Sequence, residues 1–439
     1  MMRIISDKYV SDKSSAIKNI FRSLHYRNYR LFFGGQSLSL IGTWIQRITI
    51  PWLVYRMTGS PLLLGVVGFA GQIPTFILSP FAGVLTDRWN RYNILIFTQV
   101  LSMIQALILA ILYTTRHVEI WNILLLSVIL GCINALDTPA RQSFMFDLVD
   151  DKKDLGNAIA LNSLIVNGAR LLGPSIAGIL IASLGEGVCF TINGLSYIFV
   201  IWSLIMIKVK PQPKSENIPD VFKEMKEGFN YTFSFKPIKA IILLLALISF
   251  MGMPYSVLMP VFAKDIFHGN SNIYGFLMGA SGIGAFAGAF YLASKKTVLG
   301  LEKLIPLAAG IFGIGLAAFS LSRLFTLSMI LMVATGMGFM MQMACSNTIL
   351  QTITDDDKRG RVMSFYTMAF LGTAPFGNLL AGSLANWIGA PNTLLICGLF
   401  CVFGALVFTK KLPDIIKSIT PIYAKMGIIH SFLLCLLFI

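Results

Sequence analysis

Long apolar runs alternate with short polar breaks along almost the whole chain. Twelve runs emerge, at residues 30–57, 61–85, 92–114, 119–140, 157–184, 188–207, 239–262, 272–293, 303–322, 324–351, 361–388 and 390–409. Each is near or above the roughly 20 residues a helix needs to cross a bilayer. The runs are continuous and do not alternate with period two, which argues for helices over the strands of a membrane barrel. In lipid every backbone polar group must be satisfied within its own segment, so the pattern predicts an all-α membrane protein.

The longest polar break separates two sets of six runs. It opens with Pro211, Pro213 and Ser215 and continues with Val221, Phe222, Met225 and Phe229 set against Lys223, Glu224, Lys226 and Glu227. That spacing predicts a linker carrying an amphipathic helix at the membrane interface. The expected organisation is an N-terminal arm (1–29), a six-helix half (30–207), the linker (208–238), a second six-helix half (239–410) and a tail (411–439). The apolar stretch from Gly427 to Ile439 is too short to span and reads as peripheral.

The two halves read as copies. At an offset of 204, Asp151 matches Asp355, Gly173 matches Gly377, Ala177-Gly178 matches Ala381-Gly382, and Gly185 matches Gly389. Two parallel six-helix repeats predict a central site near the bilayer midplane, between the halves.

Composition agrees with this picture. The chain is 56% hydrophobic and 13% charged, about half the charge density of a soluble domain. The net charge of +15 could suggest nucleic acid, but the placement of the charges removes that reading. Of 35 Lys and Arg, 29 fall in the N-terminal arm, the loops after even-numbered runs and the C-terminal tail. Four fall in the opposite loops, and Arg47 and Arg170 lie inside runs. The positive-inside rule then predicts both termini on the cytoplasmic side. The basic N-terminus lacks the apolar run and cleavage site of a secretory signal. Six scattered cysteines without a CxxC pair, and four histidines outside the runs, predict no metal centre and no cofactor. No nucleophile, acid/base or metal cluster suggests an enzyme, and no phosphate-binding GxxxxGK[ST] loop suggests ATP.

Charges inside a span cost roughly 2.5–3.5 kcal/mol each, so each marks a candidate function. Gln36, Ser39, Thr43 and Arg47 share one face of the first helix. This stripe predicts a watery cavity for an anionic or hydrogen-bonding ligand, unless Arg47 reaches out to the surface. Arg170 precedes Gly173-Pro174, a pair that permits a helix bend. Asn134, Gln342 and Ser346 are further cavity candidates. Asp137 is the acid placed within a run; it is either a proton-coupling group or a partner for Arg141. Gly83, Asp87, Arg88 and Arg91 sit in a tight polar break and, with Arg141, could form a cytoplasmic latch.

Gly83-x-x-x-Asp87-Arg88-x-x-Arg91 resembles the loop between helices 2 and 3 of major facilitator superfamily transporters, with Asn90 and Tyr92 departing from the usual pattern. The stretch around Gly173-Pro174 partly resembles the fifth-helix motif of the antiporters in that superfamily. Arg27 to Phe32, Pro51 to Tyr55, Asp137 to Gln142 and Glu227 to Tyr231 resemble the enterobactin-exporter-like branch, the transmembrane secretion effectors. The resemblance implies a bacterial inner-membrane protein that exports small organic molecules, siderophore or drug-like, by alternating access coupled to protons. A lipid flippase or a facilitated importer of the same fold is the alternative.

Overall fold

The computed structural model describes residues 21–149, 151–208, 221–295 and 297–427; the side chains of residues 80, 83, 84, 87, 88, 152 and 221–225 are outside that description. The first half comprises α1 (Arg27–Thr58), α2 (Pro61–Arg88), α3 (Arg91–Thr114), α4 (Ile120–Phe144), α5 (Lys152–Leu184) and α6 (Glu186–Met206). A short α7 (Val221–Ser234) lies in the linker. The second half comprises α8 (Lys236–Ile266), α9 (Ser271–Ala293), α10 (Leu301–Leu321), α11 (Phe325–Ile353), α12 (Arg359–Ile388) and α13 (Ala390–Lys425). Eleven of these are long and apolar enough to cross a membrane. The twelfth, α1, is 32 residues long and carries Arg27, Arg30, Arg47 and Arg56.

Three boundaries differ from expectation. α2 runs through Arg88, so only Trp89 and Asn90 separate it from α3, and the Asn90 side chain caps α3 by accepting from the Tyr92 amide at 2.9 Å. α8 continues past residue 262 and takes Lys264 and Asp265 into its last turn. α13 continues past residue 409 to Lys425, with Ile415, Ile419 and Tyr423 buried. Residues 411–425, expected in the tail, therefore extend the last helix; residues 428–439, which hold nearly all of the stretch read as peripheral, and the first part of the linker lie outside the described residues. α7 packs on α12. Arg361 Nη1 donates to Glu227 Oε2 at 2.7 Å, and Phe229 and Phe233 flank Phe365.

The repeated residues explain the packing. Gly185 (φ +83°) and Gly389 (φ +84°) end α5 and α12 in a backbone region that favours glycine. Gly173 and Gly377 each seat a helix of their own half: a Cβ would lie 2.5 Å from Trp44 Cβ on α1, or 2.1 Å from the Phe250 carbonyl oxygen on α8. Gly178 and Gly382 each seat a helix of the other half. A Cβ on Gly178 would stand 2.9 Å from Gly275 Cα on α9, and one on Gly382 2.7 Å from Gly65 Cα on α2. The halves thus meet along two related crossings, α5 with α9 and α2 with α12, where small residues let backbones touch.

Pro174 lacks the amide that would bond the Arg170 carbonyl. α5 nonetheless stays helical through it. α9 approaches there, with Gly282 so close that a Cβ would lie 3.1 Å from that carbonyl oxygen.

Candidate functional site: the cavity between the halves

A cavity of about 1330 Å³ lies between the two halves. Pro174 and Ser281 line its middle, and toward the end carrying the basic loops the lining continues to Gly360, Arg361 and Ser364. At the other end the halves close on each other. There Trp52 stacks on Tyr274 with centroids 6.1 Å apart, and Ser271 Oγ donates to the Gly178 carbonyl at 3.1 Å. Tyr55 donates to Asp265, and Lys264 lies over the Tyr55 ring. Among the described residues, these ion pairs at the basic end do not join the two halves: Arg22 pairs with Asp154, Arg91 with Asp147, Arg359 with Asp356, and Arg361 with Glu227 of the linker helix.

Five of the cavity candidates line this space: Gln36, Thr43, Arg47, Asn134 and Arg170. α1 turns its polar stripe into the cavity, and Thr43 folds its hydroxyl back onto the Ser39 carbonyl at 2.9 Å. Arg47 is exposed to the cavity and lies over the Trp44 ring, 5.2 Å from the centroid. Arg170 reaches across from α5 to the Phe339 ring of the other half at 5.5 Å. Gln342 and Ser346 do not line the cavity. Both are wholly buried within the second half, where Gln342 donates to Ser346 at 3.3 Å. Spacing placed them on one face of α11, and that face turns toward neighbouring helices.

Asp137 also lines the cavity and is 5% exposed. Thr98 Oγ1 and Gln99 Nε2 donate to its Oδ1 at 2.9 and 2.7 Å, and Arg141 lies 3.5 Å from its Oδ2. Thr98, Gln99 and Arg141 thus all present donors to this one carboxylate. Of the latch candidates, Arg91 and Arg141 therefore pair inside their own half, with Asp147 and Asp137. Gly83, Asp87 and Arg88 are in the last turns of α2, and their side chains lie outside the described residues.

The sequence also hid a buried acid. Glu186 sat at a run's edge, yet its side chain is fully buried. It is held by Arg56 at 3.1 Å and by the Tyr113 hydroxyl at 2.7 Å. Arg56→Ala would leave that carboxylate with one partner. It is expected to destabilise the protein by about 1–3 kcal/mol, the range for an uncompensated buried polar group, because Arg56 itself is half exposed. Thermal melting of the purified variant checks this; an unchanged midpoint would mean that Arg56 does not stabilise Glu186.

Comparison with known proteins places the architecture. The family profile described as transmembrane secretion effector matches residues 19–421. The chain is 27% identical over 389 residues to the staphyloferrin A transporter of Staphylococcus aureus, covering 86% of this chain and 95% of that one. It is 24% identical over 400 residues to macrolide efflux protein A of Streptococcus pyogenes (87% and 96%) and 23% identical over 369 residues to the multidrug efflux pump Tap of Mycolicibacterium fortuitum (82% and 89%). Among solved structures, a bacterial homologue of the human lysosomal transporter Spinster, inward-facing and unoccupied, superposes with a TM-score of 0.71 at 15% identity, over 90% of this chain and 98% of that one. The nucleoside transporter NupG superposes at 0.68 and 12% identity, over 88% and 99%.

Proposed function

This chain belongs to the transmembrane secretion effectors of the major facilitator superfamily and is an exporting membrane transporter, and we propose that it carries its cargo through the central cavity by alternating access. The basic loops face the cytoplasm in this reading, and the conformation described is the one open to the cytoplasm. Export draws on the proton-motive force.

One observation carries the reading. The halves touch backbone to backbone at the end opposite the basic loops, while the cavity continues to Arg361 at the other. Rigid halves that meet at one end of a central site can rock to meet at the other. Gly178 and Gly382 supply the related contacts that close this end, and opening it separates the halves there. Staphyloferrin A, macrolide and multidrug relatives support a small organic cargo.

Paired spin labels test it without knowing the cargo. One pair replaces Ser163 on α5 and Ser294 just after α9, near the basic end; the other replaces Ser183 and Asn270, at the opposite end. Two populations are expected, with one distance shortening as the other lengthens. A single rigid distance at both ends, or both ends moving together, overturns alternating access.

A further inference from the structure

Building on this transport reading, we propose that the cargo is a multiply charged small anion, a polycarboxylate, bound between Arg47 and Arg170. Among the described residues, four arginines line the cavity: Arg47, Arg141, Arg170 and Arg361. Two are balanced, Arg141 by Asp137 and Arg361 by Glu227. Arg47 and Arg170 have no carboxylate partner among the described residues. Each instead lies against an aromatic face, Trp44 or Phe339. A ring face holds a guanidinium in place without neutralising it and leaves its fork of N–H donors free.

Among the described residues Asp137 is the acid that lines the cavity, and it is committed to Arg141. The other polar lining, such as Gln36, Gln72, Ser39 and Asn134, is neutral. The site is therefore positive before cargo arrives. Arg47, Arg141 and Arg170 line the same cavity, so the charges share one region. A guanidinium fork matches a carboxylate bidentately, and two forks match two carboxylates. A cation would enter against uncompensated like charge.

The two arginines come from α1 and α5 of the first half. The second half contributes Tyr255, Tyr274, Met278 and Phe339, an aromatic and apolar wall. The cargo that fits has carboxylates on one side and an apolar or hydroxylated backbone on the other. Such a molecule would bridge the halves, since Arg170 already rests on Phe339 across the boundary.

The full chain in lipid nanodiscs, titrated with propionate, succinate and citrate at matched ionic strength and with ethidium as the cation, tests this by tryptophan fluorescence and thermal shift. Affinity is expected to rise at least tenfold from the mono- to the tricarboxylate, with ethidium weakest. Arg47→Gln and Arg170→Gln should each weaken citrate at least tenfold; the lysine variants, which keep charge but lose the fork, should weaken it less. The charge series on the unaltered chain decides even if a variant fails to fold. Citrate binding no better than propionate or chloride, or ethidium binding more tightly, overturns the proposal. So does citrate binding that the glutamine variants leave unchanged. If the spin-label distances still exchange in that case, the anion assignment falls alone; if they do not exchange, the transport reading falls.

Discussion

Asp137→Asn is expected to tighten binding of an anionic cargo about tenfold and to slow export by a similar factor, without abolishing export driven by membrane potential. The carboxylate neutralises Arg141 at 3.5 Å. Asparagine keeps an oxygen for the Thr98 and Gln99 donors, which both bond Oδ1, so the fold tolerates it. What changes is charge: Arg141 becomes a third uncompensated guanidinium in the cavity. A gain of about 1.4 kcal/mol corresponds to tenfold affinity and appears chiefly as slower release.

The sign of coupling follows from the same geometry. Loss of the Asp137 charge would free Arg141 and hold an anion more tightly at the face where it should leave. Coupling through loss of that charge therefore opposes export of an anion, and would favour export of a cation. Membrane potential has the right sign, worth roughly 2.3 kcal/mol per charge per 100 mV for an anion leaving a negative interior. We propose that Asp137 balances Arg141 and that the electrical component of the proton-motive force drives transport. Proteoliposomes with potential and pH gradient imposed separately decide this. Transport that runs on a pH gradient alone in the unaltered chain, and stops in Asp137→Asn, would make Asp137 the proton carrier and the cargo a cation.

The spans and their duplication were legible because their causes are local. A bilayer demands long apolar runs, and a backbone contact demands glycine, so Gly178 and Gly382 carried their geometry in their identity. Helix ends were less legible. The apolar run ends near residue 409, but the helix continues to Lys425, because charges do not by themselves stop a helix. The same holds for α2, which runs on through Arg88. The cavity was legible along α1, where an arginine inside a span has few places to go. Gln342 and Ser346 misled because spacing fixes which residues share a face, not what that face meets. Tyr55 and Asp265 pair across 210 residues, and Glu186 finds Arg56 and Tyr113 only once three helices assemble. Nothing in the local sequence announces either contact.

Gly382→Leu is expected to abolish transport by holding the halves apart at the end opposite the basic loops. Its Cβ would fall 2.7 Å from Gly65 Cα and 2.8 Å from the Pro61 carbonyl oxygen. Both are backbone atoms that cannot rotate aside, so α2 and α12 must separate. Overpacking a fitted contact costs typically 1–3 kcal/mol even where side chains can yield, and here the yielding element is a helix. The cost is confined to the state in which these helices touch; the state open at that end does not incur it. A difference of about 3 kcal/mol displaces a two-state balance more than a hundredfold, and about 5.5 kcal/mol inverts it from 1:99 to 99:1. The Ser183–Asn270 label distance should lengthen, the Ser163–Ser294 distance should shorten, and export should fall more than tenfold with helix content unchanged. Gly34→Leu is the control: a Cβ there meets nothing within 4 Å, so it should behave as the unaltered chain. The related change Gly178→Leu should reproduce the effect from the α5–α9 side. Normal export by Gly382→Leu would mean that the cycle does not require these helices to close.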